Sequence, residues 1–423
     1  MTATLRDVEV YLPASHRDNI LIAACGRPLE SVEIAKKLIY LPPPPDPSVE
    51  VPRLQMEHHV ADIFRMHIPS ATGIEIAQAI GYMLIQGYVH RNPKDPETWR
   101  RIYSAVGSQS AFSPIQLGAM VTGISGAGKS TAIERGLQLF PQVFRHVHVP
   151  GLAKPSPQLL WLKVDVPASG KIMDLVENLS RATDAALGTS HTEDLFKGRR
   201  LNGATLAHQW LQRISCNFLG LLVLDELQNL FSISTKAARS AAAVRKGGQR
   251  PELRIVDDEA LKFLLTLTNF AKIPTLYCST PDGRAALETR MSTAQRMLTG
   301  GFYSVPHAQS ADDDFFKKRL FPTLCQYQWL PEKLPASDEF RSLLFDLSAG
   351  VPRMALMAWV QASRRAIQRG ASGLSFEDFR HVGANSMGPL RPAVAALLSD
   401  DPRRLQRYED LMVPAQHSVP GRW

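Results

Sequence analysis

Cysteine is scarce in this 423-residue chain: Cys25, Cys216, Cys278 and Cys325 lie dozens of residues apart, with no CxxC pair and no Cys/His set at zinc-finger spacing. A disulfide framework and a zinc finger are excluded as organising devices, and a reducing cytoplasm fits this usage. Long apolar runs are missing too. No stretch approaches the ~18 uninterrupted apolar residues of a membrane-spanning helix, and no basic segment followed by an apolar core opens the chain, so neither membrane insertion nor secretion is expected. Strong net charge is also absent: 48 Lys and Arg against 40 Asp and Glu leave +8, a modest excess that favours a polyanionic partner. With 44% hydrophobic and 21% charged residues the composition is globular, which excludes wholesale disorder and collagen-like repeats. At roughly 150 residues per domain the length predicts two to three folded units.

The Pro-rich stretch from Leu41 to Pro52 cannot sustain a helix and reads as an extended connector, setting off an N-terminal arm over 1–54. From 55 to 110 the pattern is helical, most clearly from Gly73 to Gly87, where apolar residues recur three and four apart. Over 111–310 four apolar runs, Leu117 to Thr122, Trp161 to Val166, Leu219 to Asp225 and Ile273 to Ser279, alternate with helical stretches, and Phe302 to Val305 offers a fifth. That alternation predicts an α/β fold with a parallel sheet covered by helices on both faces. Over 311–387 strand signals fade, and segments such as Asp338 to Leu347 and Pro352 to Arg369 predict a small helical lid. A tail occupies 388–423, and no internal repeat is present.

The most specific motif is Gly123-Ile124-Ser125-Gly126-Ala127-Gly128-Lys129-Ser130-Thr131, a GxxxxGK[ST] phosphate loop between an apolar strand and a helical run. Its glycines let successive backbone N–H groups converge on one concavity beside a helix N-terminus. Lys129 reaches the β- and γ-phosphates of ATP, and Ser130 serves magnesium. The matching acidic strand is Gly220 to Asp225-Glu226, in which Asp225 holds magnesium through water and Glu226 orients the attacking water. The bland alternative is that the pair caps the following helix. The strand ending in Ser279-Thr280 presents hydroxyls suited to sensing the γ-phosphate, with Thr280 the first choice.

These residues together resemble a family, the AAA+ transposition regulators TnsC and TniB, and TnsC more closely. The resemblance runs from about 55 to 415. Its marks are Gly87-YVHRNP-Lys94, the phosphate loop, Pro141-Gln-Val, Trp161-LKVDVPASGKI, Leu219-GLLVLDELQNL, Leu261-KFLLTLTN, Ile273-PTLYCSTP and Tyr408-EDLMVP. It implies a bacterial AAA+ ATPase that assembles on double-stranded DNA as a ring or helical filament, a heptamer or a hexamer per turn. Such a protein links a target selector of the TniQ/TnsD type to transposase subunits of the TnsA/TnsB type, and can serve a CRISPR-associated transposon. It also implies an arginine donated between protomers, for which Arg284, Arg290 and Arg296 are candidates and Arg296 fits best. A second arginine over the nucleotide is Arg353, in Ser348-AGVP-Arg353.

Two segments are candidates for DNA contact. Between Phe231 and Pro251, Lys236, Arg239, Arg245, Lys246 and Arg250 occur without an acidic residue, a cationic stretch suited to backbone phosphates. Ser169 and Lys171, after the second strand, resemble the family's other DNA loop, although Ser169 also suits an ordinary helix cap. Neither segment carries an aromatic platform or a recognition helix, so binding is expected to be sequence-independent. Two rival readings remain: an AAA+ replication initiator or loader, which a winged-helix domain after the lid would support and for which the residues after Val382 are expected to be too few, and a DNA-scaffolding filament with little turnover.

Overall fold

A computed structural model of the chain describes residues 13, 16–46, 48–103, 117–196, 203–230, 272–281, 283, 295–399, 401–405 and 408. They fall into two compact units. The first takes its described residues from Met1–Glu30, Glu75–Thr122 and Ile133–Tyr303, the second from Ser31–Ile74, Gly123–Ala132 and Ser304–Trp423.

Seven strands occur among the described residues: β1 (Gly118–Thr122), β2 (Val143–His146), β3 (Ser156–Leu159), β4 (Trp161–Asp165), β5 (Leu221–Asp225), β6 (Thr275–Ser279) and β7 (Gly301–Ser304). Five of them form one sheet in the order β4-β5-β6-β1-β7. The neighbours β4/β5, β5/β6 and β1/β6 pair in parallel, with Thr122 opposite Ser279 and Asp165 opposite Asp225. The expected α/β sheet is thus present. Every residue of β1, β5 and β6 is buried, which is why these segments read as unbroken apolar runs. Along β4 only Leu162 and Val164 are buried, and Lys163 and Asp165 mark a polar edge.

Helices cover the sheet. Leu175, Val176 and Leu179 of the helix Ile172–Leu187 join Trp210 and Ile214 of the helix Gly203–Cys216 in one apolar core with Leu222, Leu224 and Tyr277. Trp210 donates its indole N–H to Thr183 Oγ1 at 3.0 Å, so the largest core side chain keeps its polar atom paired. The helix Ala71–Val89 ends on the sheet's amino edge. There Tyr88 Oη donates to the Phe218 carbonyl at 2.7 Å and Arg91 Nη1 to the Leu219 carbonyl at 2.6 Å. The antiparallel β2–β3 hairpin was not legible beforehand, because its strands are short and half polar. One contact within it and one beyond it hold it: His146 Nε2 and Gln158 Oε1 meet at 2.7 Å, both buried, and Gln158 Nε2 donates to the Leu21 carbonyl in the N-terminal segment at 2.9 Å.

The second unit is helical around an aromatic core. Phe340 lies 5.6 Å from Trp359 and 4.9 Å from Phe379, on the helices Asp338–Ser348, Pro352–Gln368 and Phe376–Ala384. The Pro-rich stretch does not run free: Tyr327 Oη donates to the Pro42 carbonyl at 2.6 Å. No single helix among the described residues is long and apolar enough to cross a membrane.

Asp378 is fully buried and closes a capping box with Ser375, while Arg365 and Arg369 pair with its carboxylate. Burial opposes its charge, but hydrogen bonds from Arg369, Ser375 and Arg365 prevail and hold the carboxyl below its ordinary value of 3.8. A depressed carboxyl stabilises the fold fully above its unfolded pKa, and that contribution is lost as the pH falls through the folded value. Urea unfolding at neutral pH should therefore find Asp378→Asn about 1–3 kcal/mol less stable than the wild type. The gap should close in acid; a pH-independent gap would assign the loss to packing instead.

Candidate functional site

The chain leaves β1 at Thr122, whose Oγ1 is buried without a hydrogen-bond partner, and enters the glycine loop directly. Lys129 is buried at the start of the helix Lys129–Leu137, and its Nζ donates to the carbonyls of Gly123 at 2.7 Å and Ile124 at 3.2 Å. The ammonium thus stands inside the curl of its own loop. Gly128 adopts φ +99°, and a Cβ added there would meet nothing within 4 Å. Its backbone therefore borders open space. Gly126 is different: a Cβ would come within 3.2 Å of Arg353 Cβ, and the Gly126 carbonyl accepts the Arg353 N–H at 3.3 Å. Arg353 itself is exposed, one residue into the helix Pro352–Gln368. Ser125 and Thr131 are exposed, Ser130 is half-buried and Ala127 is buried.

At the carboxyl end of β5, Asp225 is only 3% exposed. Its Oδ1 accepts the Glu226 N–H at 2.9 Å and its Oδ2 lies 3.2 Å from Lys163 Nζ. Glu226 is exposed and held at φ +56°, a conformation costing an L-residue about 1–2 kcal/mol and concentrated at functional sites. Among the described residues the pair is followed by a 3-10 turn, Leu227–Leu230. From that turn Gln228 Nε2 donates to the Glu226 carboxylate, and Gln228 Oε1 accepts the Thr280 N–H at 3.3 Å. Thr280 and Ser279 are both buried at the end of β6, where Ser279 Oγ donates to the Thr280 carbonyl at 2.9 Å.

Lys163 is the feature that sequence inspection passed over. Besides Asp225 it contacts Glu134 at 2.9 Å and Asp165 at 3.1 Å. Burial works against its charge, yet the Glu134 hydrogen bond and the charges of Asp225 and Asp165 carry its pKa above the usual lysine value. The available signal was a lysine inside an otherwise apolar strand, two residues before an acid. Gln228 was equally visible in DELQ but carried no role.

Arg296 is exposed in a helical segment. Its carbonyl oxygen would be 2.7 Å from a Cβ on Gly118, and Thr299 Oγ1 accepts the Gly118 N–H at 2.9 Å, so this segment sits at the amino end of β1. Ser169 and Lys171 are exposed before the helix Ile172–Leu187. Ser169 does not cap it: Lys171 occupies the N-cap position, and Ser169 Oγ donates to Asp174 at 2.5 Å. Lys236, Arg239, Arg245, Lys246 and Arg250, with Arg284 and Arg290, lie outside the described residues.

Residues 116–287 match the AAA domain family. This is an AAA+ P-loop fold. An AAA domain is a nucleotide-binding module, and the loop, the acidic strand and the polar end of β6 all lie in or beside the matched span. Similar solved structures include the Aeropyrum pernix ORC2 protein in ADPNP–ADP complexes, at TM-score 0.39 and 14% identity, covering 64% of this chain and 62% of that one. Drosophila ORC bound to DNA gives TM-score 0.41 and 10% identity over 87% of this chain and 72% of that one. The Thermotoga maritima RuvB Holliday junction branch migration motor gives 0.31 and 12% over 69% and 68%. No curated protein matches by sequence.

Removing the Lys163 cation leaves Asp225, Asp165 and Glu134 facing one another. Lys163→Met should lower stability by about 1–3 kcal/mol at neutral pH, a deficit that shrinks in mild acid as carboxylates protonate. Denaturant unfolding at two pH values checks both the size and the sign.

Proposed function

We propose that this chain is an ATP-hydrolysing, DNA-binding AAA+ regulator of transposition of the TnsC type, acting as a homo-oligomer between a target selector and transposase subunits. The observation that carries the ATPase reading is the end of β5: a buried Asp225 followed by an exposed Glu226 in a strained backbone conformation, in a chain whose β1 runs straight into a phosphate loop. The transposition reading rests on the ordered set of motifs from Gly87 to Tyr408.

The loop residues suit a nucleotide. Gly128 borders open space where a Cβ would meet nothing, Thr122 ends its strand with an unpaired buried hydroxyl, and Lys129 supplies a cation among backbone carbonyls. Gly123, Ser125, Gly126, Ala127, Gly128, Ser130 and Thr131 would hold the phosphates of ATP, with Arg353 beside Gly126 completing the cradle. Both Asp225 oxygens already have protein partners, which suits a magnesium site reached through water, with Ser130 as the direct ligand. Magnesium held by these residues would supply charge neutralisation at the phosphates. Glu226 accepts a hydrogen bond from the attacking water and aligns it. Thr280 senses the γ-phosphate.

Arg296 serves a neighbouring protomer. Its backbone stands at the amino end of β1, a strand about 13 Å long at the usual rise per residue, so it is remote from the carboxyl end that carries the loop. A guanidinium fork projecting from that edge suits a γ-phosphate held by another copy. Duplex DNA is bound without regard to sequence by Ser169 and Lys171 and by the cations Lys236, Arg239, Arg245, Lys246 and Arg250.

Glu226→Gln should keep ATP affinity within about twofold while slowing hydrolysis by roughly a hundredfold or more, and Lys129→Ala should lose nucleotide binding. Wild-type turnover in Glu226→Gln would reject the assignment. Arg296→Ala and Glu226→Gln, each nearly inactive alone, should regain hydrolysis on mixing, because some interfaces then pair an intact arginine with an intact glutamate. Absence of rescue would make Arg296 a residue of its own protomer's site.

Each phosphate neutralised contributes about −0.9 to the slope of log affinity against log salt on B-form DNA. Serine at positions 236, 239, 245, 246 and 250 should flatten that slope equally on two unrelated duplexes and leave ATP binding intact. An unchanged slope would place the DNA contacts elsewhere.

A further inference from the structure

One short 3-10 turn, Leu227–Leu230, touches both halves of the proposed machinery. It is pinned by Leu227 and Leu230, both fully buried in the core beneath the sheet. Gln228 reaches one way: its carboxamide N–H donates to Glu226 while its oxygen accepts the Thr280 N–H, so one planar group bridges the end of β5 and the end of β6. Asn229 reaches the other way. Its Nδ2 donates to the Val166 carbonyl at 2.9 Å, and its own carbonyl oxygen would be 2.5 Å from a Cβ on Gly170. Gly170 stands at φ +62° and closes a turn in which its N–H donates to the Pro167 carbonyl at 2.9 Å. The loop from Pro167 to Gly170, carrying exposed Ser169 and leading into exposed Lys171, is therefore seated on the Asn229 backbone with no room for a side chain between them.

We infer that the Leu227–Leu230 turn couples the Pro167–Lys171 loop to Glu226, so that a duplex phosphate held by Ser169 and Lys171 resets the hydrolytic glutamate through Asn229 and Gln228. This rests on the reading of that loop as a DNA contact and of Glu226 as the water-positioning residue. Gln228 and Asn229 are positioning residues: neither is assigned a contact with nucleotide or DNA. The physical basis is the close packing. A loop in direct contact with the Asn229 carbonyl cannot shift toward the sheet without displacing the turn, and Gln228, the adjacent residue, cannot move without stretching or releasing its bond to Glu226. The Thr280 N–H at the other end of the carboxamide keeps that response tied to the end of β6.

The test measures ATP turnover with and without a random-sequence duplex, beside duplex affinity by fluorescence anisotropy, in the wild-type full chain, Asn229→Ala, Gln228→Ala and the double variant. In the wild type, saturating duplex is expected to change kcat at least about fivefold, the lower end of ordinary allosteric coupling, with KM for ATP unchanged. Asn229→Ala should bind duplex within about threefold of the wild type yet respond less than about twofold in kcat, and Gln228→Ala should do the same. A purely structural role would move KM and duplex affinity along with kcat. The double variant should respond no less than either single one, as expected for two residues on one route.

A wild-type response retained in both single variants overturns the coupling, as does a wild type that binds duplex without any change in kcat. Further loss in the double variant overturns the single route. A wild type that does not bind duplex, or does not turn over ATP, overturns the underlying reading and this inference with it.

Discussion

The charge of Asp225 is the constraint on which the polar end of the sheet depends. A carboxylate almost completely buried at the end of a central strand is tolerated only if its charge and its lone pairs are answered, and both are. Lys163 stands 3.2 Å from one oxygen and the Glu226 N–H 2.9 Å from the other. Because Lys163 also holds Asp165 and Glu134, a single ammonium links β4, the end of β5 and the helix Lys129–Leu137. One ammonium thus answers three carboxylates.

Parallel pairing does the remaining positioning. Register sets Asp165 beside Asp225 and Thr122 beside Ser279, so strands from distant parts of the chain deliver their polar ends to one level. Ligands of open α/β sheets bind outside such carboxyl ends. Here the apolar bodies of β1, β5 and β6 exclude water up to their last residue, and polar chemistry begins abruptly after it. The left-handed backbone of Glu226 is the local cost of that change in direction, and the Asp225 carboxylate that accepts its N–H helps to keep it there.

The second unit shows a comparable division of labour. Phe340, Trp359 and Phe379 supply its apolar core, and a buried Asp378 with two arginines orients the helices around it. The same helical framework presents the Arg353 N–H to the Gly126 carbonyl, joining the first turn of the helix Pro352–Gln368 to the glycine loop by a backbone hydrogen bond.

Much of this was legible from sequence for a simple reason. A strand buried on both faces must be an unbroken apolar run, and a phosphate-binding curl must place glycines at fixed spacing before a lysine, so β1, β5, β6 and the loop declare themselves locally. Sequence therefore determined the α/β class, the position of the glycine loop after β1 and of Asp225-Glu226 at the end of β5, and the boundaries of the two helices Asp338–Ser348 and Pro352–Gln368 to within a residue or two. It did not reveal the β2–β3 hairpin, whose stability comes from a buried His146–Gln158 contact and from Leu21, 137 residues away from Gln158. Nor did it give roles to Lys163, Gln228 or Asn229. Their meaning lies in partners 52 to 63 residues away, at Asp225, Thr280 and Val166. Only the packing of a parallel sheet, in which neighbours in space are remote along the chain, brings those partners together.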